Sequence, residues 1–299
     1  MKRKLVYLIN PISGSFRKSN LKAVIIQKTQ AAGFPFEIMD TRIDGNYSSL
    51  YDKIVNENIT DVIICGGDGS VSLVAAALLK TTVAIGIIPL GSGNGLALAA
   101  GIPASTKRSL DIIFKGHSAL VDGFTINGKF SCMMCGMGSD AQIAHDFSLR
   151  KKRGLKTYLQ LAALHYFKSK PFLFTIQTHE KAFDISAFFI VIANSNQFGN
   201  HVTIAPKASL NDGLFDIVIV NKMSKLMLPF YLLHQIAGRN TLQEINNYRK
   251  RKNIAYFQAS ELTIINHTDA PLHIDGEPEP LTKKINLKII PNAFRLLQP

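Results

Sequence analysis

The stretch Asp61-Val62-Ile63-Ile64-Cys65-Gly66-Gly67-Asp68-Gly69-Ser70 decides the fold of this chain. Residues 62–65 form a short, β-branched apolar run, which is typical of a strand buried on both faces. The glycines after it permit backbone conformations that side chains forbid, and they let a ligand approach the backbone closely. Residues 70–80 are mostly apolar and predict a helix. A strand, a glycine turn and a helix in this order place backbone N–H groups and a helix N-terminus against a phosphate.

Two more turns follow predicted strands in the first hundred residues. Asn10-Pro11-Ile12-Ser13-Gly14 follows a strand at 5–9, and Pro89-Leu90-Gly91-Ser92-Gly93-Asn94-Gly95 follows a strand at 83–88. The other predicted elements here are a strand at 36–40 and helices at 21–32 and 47–56. This alternation predicts a parallel sheet with helical crossovers. Because ligands bind outside the carboxyl ends of such strands, we expect the three turns to meet at one edge.

The pattern changes after about Lys115. Further strands are predicted at 121–126, 129–135, 172–178, 182–193, 215–220, 261–266, 272–274 and 284–290, with helices at 154–167 and 226–236. Asn127-Gly128 fits a tight type I′ hairpin turn, and Gly136 to Ala141 fits a strand-to-helix turn better than a dinucleotide site. We therefore expect an α/β domain with a parallel sheet over 1–118, to which the tail 291–299 returns. A mainly antiparallel β domain would occupy 119–290, and the cleft between the two would hold the active site.

The charge of the chain indicates an anionic partner or a solvated basic surface. The chain has 299 residues, is 46% hydrophobic and 18% charged, and carries a net charge of +13. Basic clusters lie at 150–153 and 249–252. Anionic membranes, polyphosphates and nucleic acid all attract such clusters. Nucleic acid is the weakest of these partners, because the chain has no tryptophan and no recognisable nucleic-acid-binding motif.

The features of the sequence that indicate a cellular compartment favour a reducing cytoplasm. The apolar run at 5–9 stops at Asn10-Pro11 and is too short for a signal peptide. Residues 81–106 carry no charge, but glycines and prolines interrupt them, which favours a buried strand, a loop and a helix over a membrane span. The chain has three cysteines, and Cys132-Met133-Met134-Cys135 lacks the second pair that a structural zinc site needs.

The turns at 10–14, 66–70 and 89–95 together resemble the diacylglycerol kinase catalytic family, which includes sphingosine kinases and related bacterial lipid kinases. NAD kinases are more distantly similar. The resemblance continues downstream, in Arg153-Gly154 through Tyr158-Leu159, Phe198-Gly199 with Ile204-Ala205-Pro206, Leu210 through Asp216, and Ile274-Asp275-Gly276-Glu277. These ordered motifs cover nearly the whole chain.

The resemblance implies an α/β domain that binds ATP with Mg²⁺, and a β-rich domain that binds lipid. The nucleotide residues it implies are Asn10, Ser13, Thr41, Gly66, Gly67, Asp68, Gly69, Ser70, Ser72, Ser92 and Asn94. Asp68 would hold catalytic Mg²⁺ directly or through water, although Asp-Gly is also common in ordinary turns. Gly95 departs from the family, because many members carry an acid at this position.

Acidic residues of the β-rich domain complete the implied site. Glu277 would take the proton of the acceptor hydroxyl, and Asp275 would orient Glu277 or share the metal. The resemblance also allows the reverse assignment, in which Asp68 is the base. The resemblance also implies a second, structural Mg²⁺, which the Asp212 carboxylate and the carbonyls of Ser209 and Leu214 would bind.

The sequence therefore predicts a cytoplasmic, ATP- and Mg²⁺-dependent lipid kinase that phosphorylates diacylglycerol or a related lipid at an anionic membrane surface. Phosphoryl transfer needs charge neutralisation on ATP, an in-line hydroxyl and a base, which the implied residues would supply. Two alternatives stay open: a kinase of a soluble acceptor such as NAD, and a non-catalytic nucleotide or lipid sensor. The sequence also leaves open whether the protein is a homodimer.

Overall fold

The computed structural model describes residues 3–11, 18–42, 44–79, 81–150, 155–168, 170–197, 205, 207–221 and 254–299. The chain divides into two compact units. The first unit contains Met1–Asp122 and Asn292–Pro299, and the second contains Gly123–Pro291. Each unit has its own core of buried aliphatic and aromatic side chains.

The first unit is an α/β structure built on a parallel sheet. Its elements are β1 (Leu5–Ile9), α1 (Lys18–Ala31), β2 (Phe36–Asp40), α2 (Ser48–Glu57), β3 (Asp61–Gly66), α3 (Asp68–Leu78), β4 (Ala84–Pro89), α4 (Gly95–Ala99), α5 (Thr106–Lys115) and the start of β5 (Ser118–Ile126). The strand order is β2-β1-β3-β4, and each neighbouring pair is parallel. β1, β3 and β4 are buried along their whole length, as expected for apolar strands covered on both faces.

The second unit is mainly antiparallel. Its elements are the end of β5, then β6 (Lys129–Ser131), β7 (Met134–Gly138), α6 (Ser139–Ser148), α7 (Leu155–Lys168), β8 (Phe172–Gln177), β9 (Ala182–Ala193), β10 (Phe215–Asn221), β11 (Ile254–Ala259), β12 (Glu261–Asn266), β13 (Leu272–Ile274), β14 (Glu277–Glu279) and most of β15 (Lys284–Leu297). Antiparallel pairing joins β14-β13-β7-β9-β8-β12-β15, and β10 pairs with β9 and β11. The two-part fold class predicted from the sequence is therefore confirmed.

Several predicted boundaries were wrong for identifiable reasons. The helix predicted from residue 70 begins at Asp68, so this acid lies in the first helical turn. The strand predicted over 129–135 breaks at Cys132 and Met133, where the Met133 N–H donates to Ser131 Oγ. The helix α5 was not predicted, although Leu110 and Ile113 form its buried stripe. The helix predicted at 226–236 lies outside the described residues.

Two local predictions are confirmed by the backbone. Asn127 and Gly128 have φ of 48° and 86° between β5 and β6, as a type I′ turn requires. The segment from Gly136 to Ala141 is a strand-to-helix turn, with Gly138 at φ 83° between β7 and α6. All three cysteines are buried.

Candidate functional site

The two fully described glycine turns of the first unit contact each other backbone to backbone. A Cβ on Gly91 would lie 2.6 Å from Gly67 Cα, and one on Gly67 would lie 3.0 Å from Gly91 Cα. The Leu90 N–H donates to the Gly66 carbonyl at 2.9 Å. The turns after β3 and β4 therefore meet at the carboxyl edge of the sheet, and only glycine fits at their contact.

The turn after β3 leads straight into the N-terminus of α3. Gly67 precedes the helix in an extended conformation and, as the N-cap residue, provides no side-chain cap. Asp68 lies in this first turn and is half-buried, while a Cβ on Gly69 would meet nothing within 4 Å. The first N–H groups of a helix lack partners within the helix, so they can bind an anion here.

Three more of the predicted nucleotide residues lie at the same edge. The Asn10 N–H donates to the Cys65 carbonyl, and Asn10 Nδ2 donates to Ser70 Oγ at 2.8 Å. The Thr41 N–H donates to the carbonyl of Ile9 at the end of β1. The ends of β1, β2 and β3 therefore bring Asn10, Thr41 and Ser70 to one edge of the sheet.

The remaining predicted nucleotide residues differ in their surroundings. Ser72 is buried on α3, whereas Ser92 is exposed. Asn94, at φ 54°, closes its own turn: its Nδ2 donates to the Gly91 carbonyl, and its Oδ1 accepts from the Gly91 N–H, both at 2.9 Å. Asn94 thus shapes the glycine turn with its side chain. Ser13 lies outside the described residues.

Two of the predicted acidic residues of the second unit, Asp275 and Glu277, lie at the tight turn between β13 and β14. Asp275 and Gly276 have φ of 51° and 87°, the pattern of a type I′ turn. Asp275 Oδ1 accepts from Ser131 Oγ at 2.7 Å and from the Met134 N–H at 3.1 Å. Glu277 is the next residue, and it is exposed. The turn therefore fixes Asp275 and leaves the Glu277 side chain accessible.

A buried histidine and aspartate lie next to this turn, and the sequence analysis did not identify them. His273 Nε2 is 2.8 Å from Asp140 Oδ2, and the two side chains are 1% and 4% exposed. The Gly276 N–H donates to His273 Nδ1 at 3.2 Å. Because the two partners are 133 positions apart, no local pattern could have predicted the pair.

The turn predicted to bind structural Mg²⁺ presents an exposed carboxylate. Asp212 Oδ1 accepts from the Leu214 N–H at 3.1 Å, and Asp212 Oδ2 accepts from Gln258 Nε2 at 3.3 Å. Each carboxylate oxygen has a second lone pair, so both can still coordinate a cation. Carboxylate and carbonyl oxygens are the hard ligands that Mg²⁺ prefers, and the donors of Asp212, Ser209 and Leu214 fit that chemistry. No cluster of three or more acidic, histidine or cysteine side chains suited to a metal occurs among the described residues.

A second carboxylate lies behind Asp212. Asp216 is fully buried on β10, where Tyr256 Oη donates to Oδ1 and Gln258 Nε2 donates to Oδ2 at 3.4 Å. Burial raises the pKa of Asp216 to about 6, and the two hydrogen bonds oppose this rise. Gln258 thus bridges one exposed and one buried carboxylate.

The second unit contains a cavity of about 940 Å³ between α6, α7, the start of β8 and the β13–β14 hairpin. Phe172, Leu272 and Leu281 contribute apolar walls, while His165 and Asp146 contribute polar ones. His165 Nε2 lies 2.8 Å from Asp146 Oδ2, and this hydrogen bond lowers the pKa of Asp146. A cavity of this size and mostly apolar character can hold part of a lipid-sized ligand.

Comparisons with known proteins agree with this architecture. Residues 4–126 match the model of the diacylglycerol kinase catalytic domain, and residues 133–298 match that of the YegS C-terminal NAD kinase β-sandwich-like domain. None of the helices in the described ranges is long and apolar enough to cross a membrane.

Individual relatives are distant but extend over most of the chain. A protein of Shewanella frigidimarina (strain NCIMB 400), named "Probable lipid kinase YegS-like", is 27% identical over 83% of this chain and 79% of its own length. A diacylglycerol kinase of Staphylococcus carnosus (strain TM300) is 23% identical over 93% and 89%. The crystal structure of a candidate diacylglycerol kinase from Bacillus anthracis str. Sterne has a TM-score of 0.81 at 19% identity, covering 100% of this chain and 97% of its own. The chain therefore belongs to the lipid kinase family that joins a diacylglycerol kinase catalytic domain to a YegS C-terminal NAD kinase β-sandwich-like domain.

Proposed function

We propose that this protein transfers the γ-phosphoryl group of ATP, with Mg²⁺, to the hydroxyl of a lipid such as diacylglycerol. The observation that carries the proposal is the contact between the turns at Gly67 and Gly91, next to the uncapped N-terminus of α3. Backbone N–H groups arranged in this way suit the phosphates of a nucleotide. Membership of the lipid kinase family supplies the reaction class.

The nucleotide would lie along the carboxyl edge of the parallel sheet. The N–H groups around Gly69 and Ser70 would hold its phosphates, with hydrogen bonds from Asn10 and Ser92. Thr41 lies beyond the end of β2, at the same edge. Ser13 completes the proposed set on the basis of its sequence motif alone.

Mg²⁺ bound with the nucleotide neutralises charge on the transferring phosphoryl group. Asp68 would hold this ion, since its carboxylate is the acid of the phosphate turn. Asp212, with the carbonyls of Ser209 and Leu214, would hold a second ion that stabilises the loop before β10. Both sites use oxygen donors, as Mg²⁺ requires.

Glu277 would accept the proton of the lipid hydroxyl. It is exposed and follows a turn whose Asp275 carboxylate is held by two hydrogen bonds. A base must be positioned within hydrogen-bond reach of its proton, and a turn held by these hydrogen bonds favours that. In the reversed assignment, Asp68 takes the proton and Glu277 assists.

The acyl chains would enter the cavity of the second unit, and its surroundings suit a membrane surface. Leu281 lines the cavity and is 64% exposed. Leu149 directly follows α6, is 71% exposed, and continues the helical spacing of the cavity-lining residues Gln142 and His145. Lys170 also lines the cavity and is exposed. An exposed leucine and a lysine on the same cavity lining favour an anionic bilayer, which attracts each basic residue with about 1 kcal/mol.

The decisive assay supplies purified protein with labelled ATP, Mg²⁺ and either diacylglycerol in anionic vesicles or soluble NAD. We expect labelled phosphate in the lipid. Label in NAD would support the soluble-acceptor alternative, and no transfer to any acceptor while ATP still binds would support the sensor.

Variants then separate the roles of the two acids. Glu277→Gln should lower kcat by about 10²–10⁴-fold, as loss of a general base does, while Mg²⁺-dependent ATP binding persists. Asp68→Asn should weaken that binding. Glu261→Gln and Asp52→Asn replace exposed acids elsewhere and serve as matched controls. Normal ATP binding with lost turnover in Asp68→Asn would instead assign the base to Asp68.

A further inference from the structure

His273 has a defined protonation state because of its two hydrogen bonds. The Gly276 N–H can only donate, so His273 Nδ1, at 3.2 Å, must accept and carries no proton. The ring proton is therefore on Nε2, which donates to Asp140 Oδ2 at 2.8 Å. The fixed partner on each ring nitrogen selects this neutral tautomer.

The residue next to this pair, Gly136, has no side chain, and this leaves room for the pair. Gly136 lies opposite His273 in the β7–β13 ladder. A Cβ on Gly136 would lie 2.0 Å from Asp140 Oδ2 and 2.4 Å from His273 Nε2. No residue larger than glycine can therefore occupy position 136 while the pair stays in place.

Asp140 anchors the histidine from a second element. It lies in the first turn of α6, where the helix dipole favours a negative charge. A nearly fully buried carboxylate needs a donor, and His273 supplies one. The pair thus connects the start of α6 to β13, the strand that leads into the Asp275-Gly276 turn.

Hydrogen bonds from two sides consequently hold the turn formed by Asp275 and Gly276. Ser131 and Met134 hold the Asp275 carboxylate, and His273 holds the next amide, that of Gly276. Glu277 follows directly and has an exposed side chain. The position of its backbone is therefore set by the β13–β14 ladder, in which Glu277 pairs with Ile274, together with the hydrogen bond between Gly276 and His273.

We propose that His273, anchored by Asp140, is a positioning residue that holds the Gly276 amide and thereby aims Glu277 at the acceptor hydroxyl. The inference rests on the proposed function, because it gives Glu277 the role of the base. His273 acts through the backbone of the turn and does not touch substrate.

Two substitutions separate the two hydrogen bonds of the ring. In His273→Asn, Oδ1 is as many bonds from Cα as Nδ1 and can still accept from Gly276. In His273→Gln, Nε2 is as many bonds from Cα as the ring Nε2 and can still donate to Asp140. Its acceptor, Oε1, is one bond further from Cα than Nδ1 and is therefore displaced from the Gly276 N–H. His267, an exposed histidine that contacts Thr175, provides control substitutions to the same residues.

Steady-state kinetics are measured at a temperature where melting curves show every variant folded. We expect His273→Gln to lose up to about a hundredfold in kcat, the size of effect expected from misplacing a catalytic group by about 1 Å. His273→Asn should lose about threefold at most, and the KM for ATP should be unchanged in both. Equal kcat losses in the two variants, or none in either, would overturn the positioning role.

Hydrogen exchange supplies a readout that does not depend on turnover. The amide of Gly276 should exchange faster in His273→Gln than in His273→Asn or the wild type, because it loses its acceptor. Equal exchange rates in both variants would overturn the proposed contact. If the wild type phosphorylates no acceptor, the proposed function fails, and the exchange rates still decide whether His273 holds Gly276.

Discussion

Replacing Gly91 by alanine tests the contact between the two glycine turns. A Cβ at this position would lie 2.6 Å from Gly67 Cα, whereas ordinary contact begins at 3.4 Å. Because the opposing atom is backbone, no side-chain rotation relieves the overlap, and the turns must part by about 0.8 Å. We expect a loss of about 1–3 kcal/mol in the free energy of unfolding. We also expect a fall of about a hundredfold in kcat/KM, as misplacements near 1 Å produce.

The assay pairs denaturant unfolding with labelled phosphate transfer to diacylglycerol vesicles. Gly33→Ala is the matched control, because Gly33 has φ +71° and open space around its Cβ. Its left-handed conformation should cost alanine about 1–2 kcal/mol, without any change at the glycine turns. Wild-type kcat/KM in Gly91→Ala would refute the reasoning, as would an equal loss of activity in Gly33→Ala.

Three further substitutions test separate parts of the structure. Gly69→Ala should fold normally or gain up to about 1 kcal/mol, because its Cβ meets nothing and alanine favours a helix. When ATP with Mg²⁺ is added, the melting temperature of this variant should nevertheless rise much less than that of the wild type. A rise equal to that of the wild type would argue against a phosphate bound at Gly69. Asp212→Ala should remove the rise in melting temperature that Mg²⁺ alone gives chelator-treated protein, whereas an unchanged rise would place the ion elsewhere. Burial raises the pKa of Asp216 from 3.8 to about 6, so its favourable contribution at low pH is lost as the pH rises between these values. The free energy of unfolding, measured with denaturant and chelator, should fall by about 3 kcal/mol across this range, at about 1.4 kcal/mol for each pKa unit. Asp216→Asn should abolish the fall, and a persistent fall would assign it to other groups.

The parallel sheet could be predicted because its strands are continuous apolar runs. β1 matched its predicted bounds, and β3 and β4 differ from theirs by about one residue. The break between β6 and β7 was missed, since Cys132 and Met133 are as apolar as the strand residues around them. At this break the Met133 N–H donates to Ser131 Oγ, and this contact is evident only in the folded structure.

The candidate site was predictable where its chemistry is local. The glycine turns at 66–70 and 89–95 were identified from composition, whereas Asp275 and Glu277 were identified by the resemblance to the family. The alternation of strands and helices predicted that the glycine turns would meet at one edge of the sheet. Individual long-range contacts were not predictable, because Gly67 lies against Gly91 only in the observed β3–β4 register and His273 meets Asp140 only after β13 pairs with β7.

The strand β15 has a consequence for the order in which the protein folds during synthesis. Near its end, Arg295 and Leu296 pair in parallel with Ala84 and Ile85 of β4, so the sheet of the first unit includes a strand segment translated after all of 123–291. Ribosomes add about 5–20 residues per second, so the nascent first sheet waits roughly 10–30 s for its final member. During that interval β4 presents an apolar edge to which chaperones or neighbouring nascent chains can bind.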